Sequence, residues 1–301
     1  MRIGVDLGGT KIEVIALDDV GAILFRQRVA TPKGGYSGTL QAIANLVHAA
    51  EQLLHQVGTV GVACPGAISR STGLLKNSNS TVLIGRPLDQ DLSRMLGRPI
   101  RLENDANCFA LSEAIDGAAA GGKVVFGVIL GTGVGGGVAV EGRPLVGRNG
   151  ITGEWGHSPL PWNRDDERPG APCYCGKDGC IETFLCGDGL AREYFSRCGR
   201  SLTARNIALA AAGGDACANE CLTVYKDRLA RSLASVVNLL DPDVIVLGGG
   251  LSNISSLYDG LTGQVGRYAF SDGIDTPIVP AMHGDSSGVR GAAWLWENGA
   301  S

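Results

Sequence analysis

The sequence lacks any apolar run of the roughly 18 residues that a membrane-spanning helix needs. It also lacks a signal peptide, because Met1-Arg2-Ile3 leads directly into a strand pattern. Basic residues are not in excess, since 26 Lys and Arg stand against 30 Asp and Glu, a formal net charge of -4. Binding to a nucleic-acid backbone needs clustered Lys and Arg. These absences predict a cytoplasmic protein without membrane or nucleic-acid partners.

Two common nucleotide-binding patterns are missing as well. The chain has neither a Walker A pattern nor a Rossmann glycine fingerprint with its acidic partner. Glycine itself is abundant, at 46 of 301 residues, which is about double the usual share. The glycines cluster after apolar runs and have no collagen-like period. This arrangement indicates a backbone that approaches ligand phosphates closely.

Strand and helix patterns predict a duplicated α/β fold. Residues 2–7 and 11–17 form two β-rich runs joined by Gly8-Gly9-Thr10, which predicts a hairpin. Residues 126–140 align without gaps on residues 3–17, although any two glycine-turned hairpins look somewhat alike. We expect a small lobe of residues 1–118 with about 288–301, a large lobe of residues 119–287, and a cleft between them. Further strands are predicted at 23–29, 59–64, 100–102 and 243–247, and helices at 39–57, about 106–119 and 218–240.

Three glycine clusters are candidates for nucleotide contacts. The first combines a tight turn with a carboxylate, a hydroxyl and an ammonium group, so it could hold a phosphate while Asp6 reaches Mg²⁺ through water. Each cluster alone fits plain turn chemistry, but three in a duplicated fold favour ATP bound between lobes. The residues predicted to contact the nucleotide are Asp6, Gly8, Gly9, Thr10, Lys11, Gly131, Thr132, Gly133, Gly135, Gly136, Gly248, Gly249 and Gly250.

A candidate catalytic carboxylate lies at Asp105, where a short strand meets a helix. A kinase needs such a group beside the acceptor hydroxyl, to take its proton as the oxygen attacks phosphorus. The neighbouring Asn104 and Asn107 can both donate and accept hydrogen bonds, as sugar hydroxyls require. Asp105 could instead simply cap the helix that starts at Ala106, and the two roles can coexist.

Cysteine spacing predicts a metal site. His157, Cys173, Cys175 and Cys180 form the closed set of one imidazole and three thiolates that suits structural zinc. The alternative, three free thiols in one loop, would be an oxidation liability. In a reducing compartment we expect no disulfides. The remaining cysteines are interpreted as ordinary buried side chains: Cys64, Cys108, Cys186, Cys198, Cys217 and Cys221.

The glycine clusters resemble the phosphate and adenosine turns of the sugar kinase, actin and heat-shock ATPase superfamily, which implies an actin-like, ribonuclease H-like fold. The segments 154–157 (EWGH) and 173–182 (CYCGKDGCIE) further resemble the signature of the ROK family of sugar kinases and repressors. This resemblance covers the whole chain. It implies that Asp105 is the base and that zinc lies on the four residues named above. The residues it places at the sugar are Asn79, Asn104, Asp105, Glu154, His157 and Glu182.

The identity of the sugar is a finer prediction. The segments 76–81 (KNSNST), 156–162 (GHSPLPW) and 283–296 (HGDSSGVRGAAWLW) resemble the fructokinases of the family, which implies 6-phosphorylation of fructose, with mannose as a possible second substrate. The family resemblance also implies a homodimer. A kinase for glucose or an N-acetylhexosamine is the alternative. A sugar-sensing regulator is a further alternative. It is disfavoured because the first strand begins at residue 2, leaving no room for a DNA-binding domain, and because Asp6, Lys11 and Asp105 are all present.

Overall fold

Two five-stranded sheets carry the fold of the computed structural model, which describes residues 1–33, 35–78 and 80–296. A third, two-stranded ribbon lies between β4 and β7 in the chain. In chain order the strands are β1 (Arg2–Leu7), β2 (Lys11–Leu17), β3 (Ile23–Ala30), β4 (Thr59–Cys64), β5 (Ala67–Ile68), β6 (Leu75–Lys76), β7 (Ile100–Asn104), β8 (Val124–Leu130), β9 (Val134–Val140), β10 (Arg143–Pro144), β11 (Val244–Gly248) and β12 (Ile278–Pro280). The helices are α1 (Gly35–Leu54), α2 (Leu88–Leu96), α3 (Asp105–Ile115), α4 (Ile181–Leu185), α5 (Gly187–Cys198), α6 (Ala204–Ala212), α7 (Ala216–Leu240), α8 (Leu261–Gly266) and α9 (Ser287–Ala293).

The two large sheets have the same topology. The first has the order β3-β2-β1-β4-β7 and the second the order β10-β9-β8-β11-β12. In each sheet an antiparallel hairpin is extended by one antiparallel strand on one side and by two parallel strands on the other. The predicted duplication of a hairpin-led α/β unit is therefore confirmed, and the predicted strands and helices agree with the observed ones to within a few residues.

The first sheet is covered on both faces. One face packs on α1, through apolar side chains such as Val5, Val14 and Ile43, and the other packs on α9. Burial on both faces explains why β1, β2 and β4 are almost continuously apolar. Glycine allows α9 to lie directly on the strands, because a Cβ at Gly4 would fall 2.0 Å from the Val289 carbonyl oxygen. The expectation that the small residues of the last helix pack on the first lobe agrees with this contact.

Helix α3 lies between the two sheets. It packs on α9, which covers the first sheet, and also on β8 and β9 of the second. A Cβ at Gly137 would come within 2.1 Å of the Ala106 carbonyl oxygen, so the strand and the helix are in backbone contact. The other face of the second sheet packs on α7. The lobe boundary predicted at residue 118 stays a prediction.

Two of the cysteines depart from the predicted pattern. Cys198 and Cys217 form a disulfide bond, with their Cα atoms 6.2 Å apart, although all six scattered cysteines were expected to be free and buried. Both are half-buried, whereas Cys64, Cys108, Cys186 and Cys221 are free and buried as expected. The prediction was wrong for this pair because α6 folds back between α5 and α7. In the described part of the chain, no helix is both long and apolar enough to cross a membrane.

Candidate active site

Asp105 is the first residue of α3 and follows β7 directly. The helix is capped by Asn104, whose Oδ1 accepts from the amides of Ala106 at 2.9 Å and Asn107 at 3.3 Å. The alternative that Asp105 is the cap is therefore wrong. Oδ1 of Asp105 does accept from the Ala106 amide at 2.9 Å, which fixes the carboxylate relative to the helix. The carboxylate of Asp105 is thus held at the start of α3 by its hydrogen bond from the Ala106 amide.

Three carboxylates influence one another at this point. Burial raises the pKa of Asp105 to about 6, and the charge of Glu154 raises it as well. Burial and the charge of Asp105 raise the pKa of Asp6 to about 6, against the lowering effect of Lys11. Like charges disfavour ionisation only when they are close. The charge of Asp105 from α3 thus acts on Asp6 of the first hairpin, and that of Glu154 from the loop after β10 acts on Asp105, which makes this group a candidate proton-accepting site.

The first hairpin turn, Gly8 to Lys11, is held from outside the hairpin. The Gly8 amide donates to the Lys11 carbonyl at 3.0 Å, and the Thr31 hydroxyl donates to the Gly8 carbonyl at 2.8 Å. Gly9 and Thr10 at its tip are exposed. Their polar groups therefore remain open to a ligand such as a phosphate. The turn does not line the large cavity described next.

A cavity of about 1430 Å³ opens beside the second hairpin turn. Of the residues predicted to contact nucleotide, Gly131, Thr132 and Gly250 line it. The turn is tied to α5, since the Gly187 amide donates to the Gly131 carbonyl at 2.8 Å. The volume exceeds the several hundred Å³ typical of small-ligand sites. The structure therefore brings two of the three glycine clusters to one site.

Other glycines of these clusters serve packing. Gly135 and Gly136 lie within β9 and pair with β8, beyond the turn. A Cβ at Gly136 would lie 2.6 Å from the Trp155 ring, so this glycine admits the side chain of the neighbouring loop. Their assignment as phosphate contacts stays a prediction, and it concerns strand residues rather than the turn itself. Gly133 remains in the turn.

The third glycine cluster, residues 248–250, also contains both packing glycines and a cavity-lining glycine. Gly248 ends β11, and a Cβ there would lie 2.5 Å from the Phe109 ring. Gly249 has a φ of +81°, and a Cβ would approach the Leu130 carbonyl oxygen to 2.4 Å. Only Gly250 lines the cavity itself. Gly249 thus permits the sharp turn that brings Gly250 to the cavity.

Much of the cavity wall was not predicted from the sequence. Residues 201–206 and the remainder of α6 form one side, and the start of α5 at Gly187 and Asp188 forms the floor. Asn219 and Leu222 of α7 and residues 253–256 complete it. The available signal was Gly187-Asp188-Gly189, small residues at the start of a helix, where backbone amides can meet an anion.

Three of the residues expected at the sugar, Glu154, His157 and Glu182, lie in the segments 154–157 and 173–182, which contact the second hairpin. Glu182, at the start of α4, accepts from the Val134 amide at 2.9 Å. Trp155 fixes the segment 154–157 by donating to the Gly135 carbonyl at 2.9 Å. Glu154 is exposed beside Asp105, as its effect on the Asp105 pKa indicates. Asn79 lies outside the described residues.

The two asparagines of α3 differ from expectation. Asn104 uses its side-chain oxygen for the cap and donates to the Gly66 carbonyl at 3.3 Å. Asn107 is buried, with its amide bonded to Glu103 at 3.0 Å and its oxygen to the Val138 amide at 3.4 Å. Its suggested role in binding sugar hydroxyls was wrong, because both ends of the side chain already have protein partners.

The four predicted zinc ligands converge. The nitrogen and sulfur atoms offered by His157, Cys173, Cys175 and Cys180 all lie within 4.8 Å of one another. His157 Nδ1 is 3.5 Å from the Cys173 sulfur, and the sulfurs of Cys175 and Cys180 are 3.6 Å apart. Tetrahedral bonds of about 2.0 Å to nitrogen and 2.3 Å to sulfur separate ligand atoms by about 3.5–3.8 Å. The donor set therefore fits a zinc ion.

The imidazole has a second partner. His157 Nε2 is 3.0 Å from the Tyr174 hydroxyl, and the two rings meet edge-on with centroids 5.0 Å apart. Such a bond orients the ring so that Nδ1 faces the three sulfurs. The cysteine loop is also connected to Glu182, whose carboxylate lies 3.9 Å from the Cys173 sulfur. The segments 154–157 and 173–182 therefore carry both the four donor residues and the carboxylates of Glu154 and Glu182.

Known proteins resemble the whole chain. It is 41% identical to the N-acetyl-D-glucosamine kinase of Pectobacterium atrosepticum over 299 residues, 98% of each chain. The crystal structure of a ROK hexokinase from Thermus thermophilus superimposes with a TM-score of 0.87 at 32% identity, covering 98% of this chain and 97% of that one. A ROK glucokinase from Streptomyces griseus, solved with glucose and an ATP analogue, has a TM-score of 0.78 at 29% identity, covering 98% of each chain. The ROK family model matches residues 2–299, and the chain therefore belongs to the ROK family.

Proposed function

We propose that this protein is an ATP-dependent sugar kinase and that its substrate is N-acetyl-D-glucosamine. The observation that carries the kinase proposal is the half-buried carboxylate of Asp105, which the Ala106 amide holds and whose pKa is about 6, together with its charge interactions with Asp6 and Glu154. A base with this pKa is largely ionised at neutral pH and still basic enough to accept a proton. The full-length relatives support the same activity, since they are named as sugar kinases.

Asp105 acts as the general base in the proposed reaction. The sugar hydroxyl gives its proton to the Asp105 carboxylate while its oxygen forms a bond to the terminal phosphorus of ATP. The bond between that phosphorus and the bridging oxygen breaks, and ADP leaves with the electron pair. Glu154 and Glu182 are proposed to position the sugar at this point. Holding the hydroxyl in line with phosphorus is the largest contribution that such a site makes.

The nucleotide is assigned to the large cavity and the two hairpin turns. Gly131, Thr132 and Gly250 line the cavity, which has room for a nucleoside. The exposed tip at Gly9 and Thr10, with Lys11, is left for the terminal phosphates. Mg²⁺, when bound with ATP, supplies charge neutralisation on the phosphate oxygens. The carboxylate of Asp6 is the group of this chain placed to hold it.

Zinc is proposed to organise the sugar site. His157, Cys173, Cys175 and Cys180 would hold the ion in a closed set of four ligands, where it supplies structural crosslinking. A closed set leaves no position for substrate, so polarisation of the sugar falls to the protein's own groups. Because Glu182 accepts from Val134 and Trp155 donates to Gly135, ordering this loop also orders the second hairpin.

The sugar assignment replaces the fructose prediction. The similarity at 41% identity over almost the whole chain is to N-acetyl-D-glucosamine kinases, also from Salmonella gallinarum. These relatives give the fructose prediction no support, and the alternative of an N-acetylhexosamine kinase agrees with them better. The regulator alternative has no comparable support, since a ROK family transcriptional regulator of solved structure is 21% identical and indicates the fold alone. Cytoplasmic location and a homodimer stay predictions.

A coupled assay for ADP release tests both parts of the proposal. Purified protein is assayed with ATP and Mg²⁺ against N-acetyl-D-glucosamine, N-acetylmannosamine, glucose, mannose and fructose. We expect kcat/KM to be highest for N-acetyl-D-glucosamine. A higher value for fructose would contradict the sugar assignment and leave the kinase assignment intact. No turnover with any hexose, in protein shown to contain zinc, would contradict the kinase assignment.

A further inference from the structure

Three cysteine sulfurs meet where α5 packs on α7, apart from the predicted zinc ligands. Cys198 is the last residue of α5, Cys217 is the second residue of α7, and Cys221 lies one turn further along α7. The three sulfur atoms lie within 4.8 Å of one another, and Cys198 and Cys217 are bonded. Cys221 is a free, buried thiol. No step of the proposed phosphoryl transfer uses these residues.

The bond closes a loop that forms much of the cavity wall. Residues 199–216 lie between the two bonded cysteines and contain α6. Ten of the 23 residues that line the cavity fall within this loop. The bond therefore controls how freely one side of the cavity can move.

Few other interactions hold the loop in place. Helix α6 buries two side chains, Ile207 and Ala211, of its nine residues. Arg200 and Asp215 form an ion pair at 2.7 Å across the ends of the loop, but both side chains are substantially exposed, and such pairs contribute little. The Asn219 amide donates to the Ala211 carbonyl at 3.1 Å. Leu202, Ala204 and Ala210 are also partly buried against the core, and the disulfide bond adds a covalent constraint between the two ends of the loop.

The bond is placed where a small reagent can reach it. Cys198 and Cys217 are half-buried, so each keeps part of its surface open to solvent. Cys221 is shielded, and burial raises the pKa of its thiol, which leaves it a poor nucleophile. The exposed pair and the shielded third cysteine therefore have different reactivity.

We propose that Cys198 and Cys217 form a reversible thiol–disulfide site that sets the affinity of the cavity for nucleotide, an inference that rests on the proposed function. In the reducing direction a low-molecular-weight dithiol supplies two electrons and two protons. The Cys198–Cys217 bond breaks, two protein thiols form, and the dithiol becomes a cyclic disulfide. In the oxidising direction two protein thiols and a low-molecular-weight disulfide give the protein bond and two small thiols.

The bonded form is the one that binds nucleotide better. Breaking the bond lets the 199–216 loop sample positions in which it does not line the cavity, so a smaller fraction of molecules is competent to bind. Apparent affinity falls in proportion to that fraction. If the loop lines the cavity in one molecule out of three, the KM for ATP is about threefold higher than in the bonded form. The KM for the sugar, whose residues lie on the other side of the second hairpin, should change little.

The test compares protein equilibrated in mixtures of reduced and oxidised dithiothreitol. Alkylation and peptide mapping report the state of each cysteine, hydrogen exchange reports the mobility of residues 201–212, and calorimetry with ADP reports nucleotide affinity. On reduction of the wild type we expect faster exchange in that segment and an affinity for ADP that is about threefold weaker or more. The double variant C198S/C217S should behave as the reduced form under all conditions. Cys221→Ala should respond as the wild type does.

The variants separate this site from the zinc ligands, which dithiothreitol can also affect. A redox response that persists in C198S/C217S would come from elsewhere and would overturn the inference. The same holds if mapping finds Cys198 and Cys217 as thiols in the oxidised mixture, or if ADP affinity is equal in both states. Sugar phosphorylation that continues in those cases leaves the proposed function standing. If ADP affinity follows the bond but no sugar is phosphorylated, the inference stands and the proposed function fails.

Discussion

Replacing Asp105 by asparagine removes the proposed proton acceptor and preserves the shape of the side chain. Oδ1 of the new residue can still accept from the Ala106 amide, the bond that Asp105 makes at 2.9 Å. The cap by Asn104 is untouched, so α3 should begin at the same residue. General base catalysis contributes about 10²–10⁴-fold in rate. We therefore expect kcat to fall by that factor, an increase of about 3–5 kcal/mol in the activation barrier, with little change in the KM for ATP.

The pH profile gives a second, independent expectation. The pKa of Asp105 is about 6, so the ionised form that accepts a proton is lost as pH falls through that value. The wild type should therefore lose activity on the acid side near pH 6. Because the pKa of Asp6 is also about 6 and is raised partly by Asp105, that limb belongs to both groups together. Residual activity of Asp105→Asn should lack most of the limb.

The same substitution should stabilise the fold. Burial raises the folded pKa of Asp105 from 3.8 to about 6, which means that ionising it costs the folded state free energy. A shift of about two units corresponds to a cost on the order of 3 kcal/mol. The cost is absent below pH 4, where both states are protonated, and complete above pH 6. Denaturant unfolding at pH 7 should therefore show Asp105→Asn to be more stable, by about 2 kcal/mol after some loss of charge–helix interaction, and the gain should disappear at pH 3.5.

Asp259→Asn is the matched control, because that side chain is exposed and remote from the proposed site. It should leave kcat, the acid limb and stability unchanged. If Asp105→Asn keeps near-normal kcat, Asp105 is not the base, whatever its pKa. If kcat falls but stability at pH 7 also falls, the loss of activity would reflect damage to α3, and the reasoning from burial would be refuted.

Three further variants test other parts of the proposed site. Glu154→Gln removes a charge that raises the pKa of Asp105, so the acid limb of the kcat profile should move to lower pH. The control Glu220→Gln, at an exposed position, should leave the limb in place. An unchanged limb in Glu154→Gln would show that Glu154 does not act on Asp105. Cys175→Ser removes a proposed zinc ligand, so metal analysis should show loss of zinc. The KM for the sugar should rise and the KM for ATP should stay the same. Unchanged sugar affinity in the metal-free protein would mean that zinc stabilises the fold without organising the sugar site. Gly249→Ala forces a side chain into a φ of +81° and to within 2.4 Å of the Leu130 carbonyl, so it should destabilise the fold by at least about 2 kcal/mol and raise the KM for ATP. Gly263→Ala, which meets no atom within 4 Å, should do neither, and equal behaviour of the two glycine variants would contradict this account.

Local patterns allowed the sequence to predict the hairpins and the convergence of His157 with three cysteines. Strand alternation and glycine breakers act over a few residues, so β1, β2, β8 and β9 were placed to within two residues. The cysteine spacing is equally local, and the donors of the 173–180 loop converge with His157 as predicted. The cavity wall at 201–212 and the Cys198–Cys217 bond were missed because they arise from packing among α5, α6 and α7. Nothing in a short window of sequence encodes that packing.

The roles of the glycines also depend on packing that a short window of sequence does not encode. A run such as 131–137 contains glycines for two different reasons, and the sequence alone does not separate them. Gly131 and Gly133 lie in the hairpin turn, whereas Gly136 gives space to Trp155 and Gly137 gives space to α3. A glycine that leaves room for a neighbouring protein group can be recognised only once that neighbour is known. The phosphate contacts predicted for Gly131, Gly133, Gly135 and Gly136 stay predictions.

The position of Asp105 depends on contacts with both sheets. Its helix packs on β8 and β9 along one side and on α9 along the other. At the far end of α3 the buried carboxylate of Glu113 accepts from the amides of Met282 at 3.1 Å and His283 at 3.3 Å, and from the Ser287 hydroxyl at 2.8 Å. The helix is thus fixed to the second sheet, to the segment that follows β12 and to the helix that covers the first sheet. A base held in this way keeps its place relative to the hairpins of both sheets, which is what transfer of a phosphoryl group between two bound substrates requires.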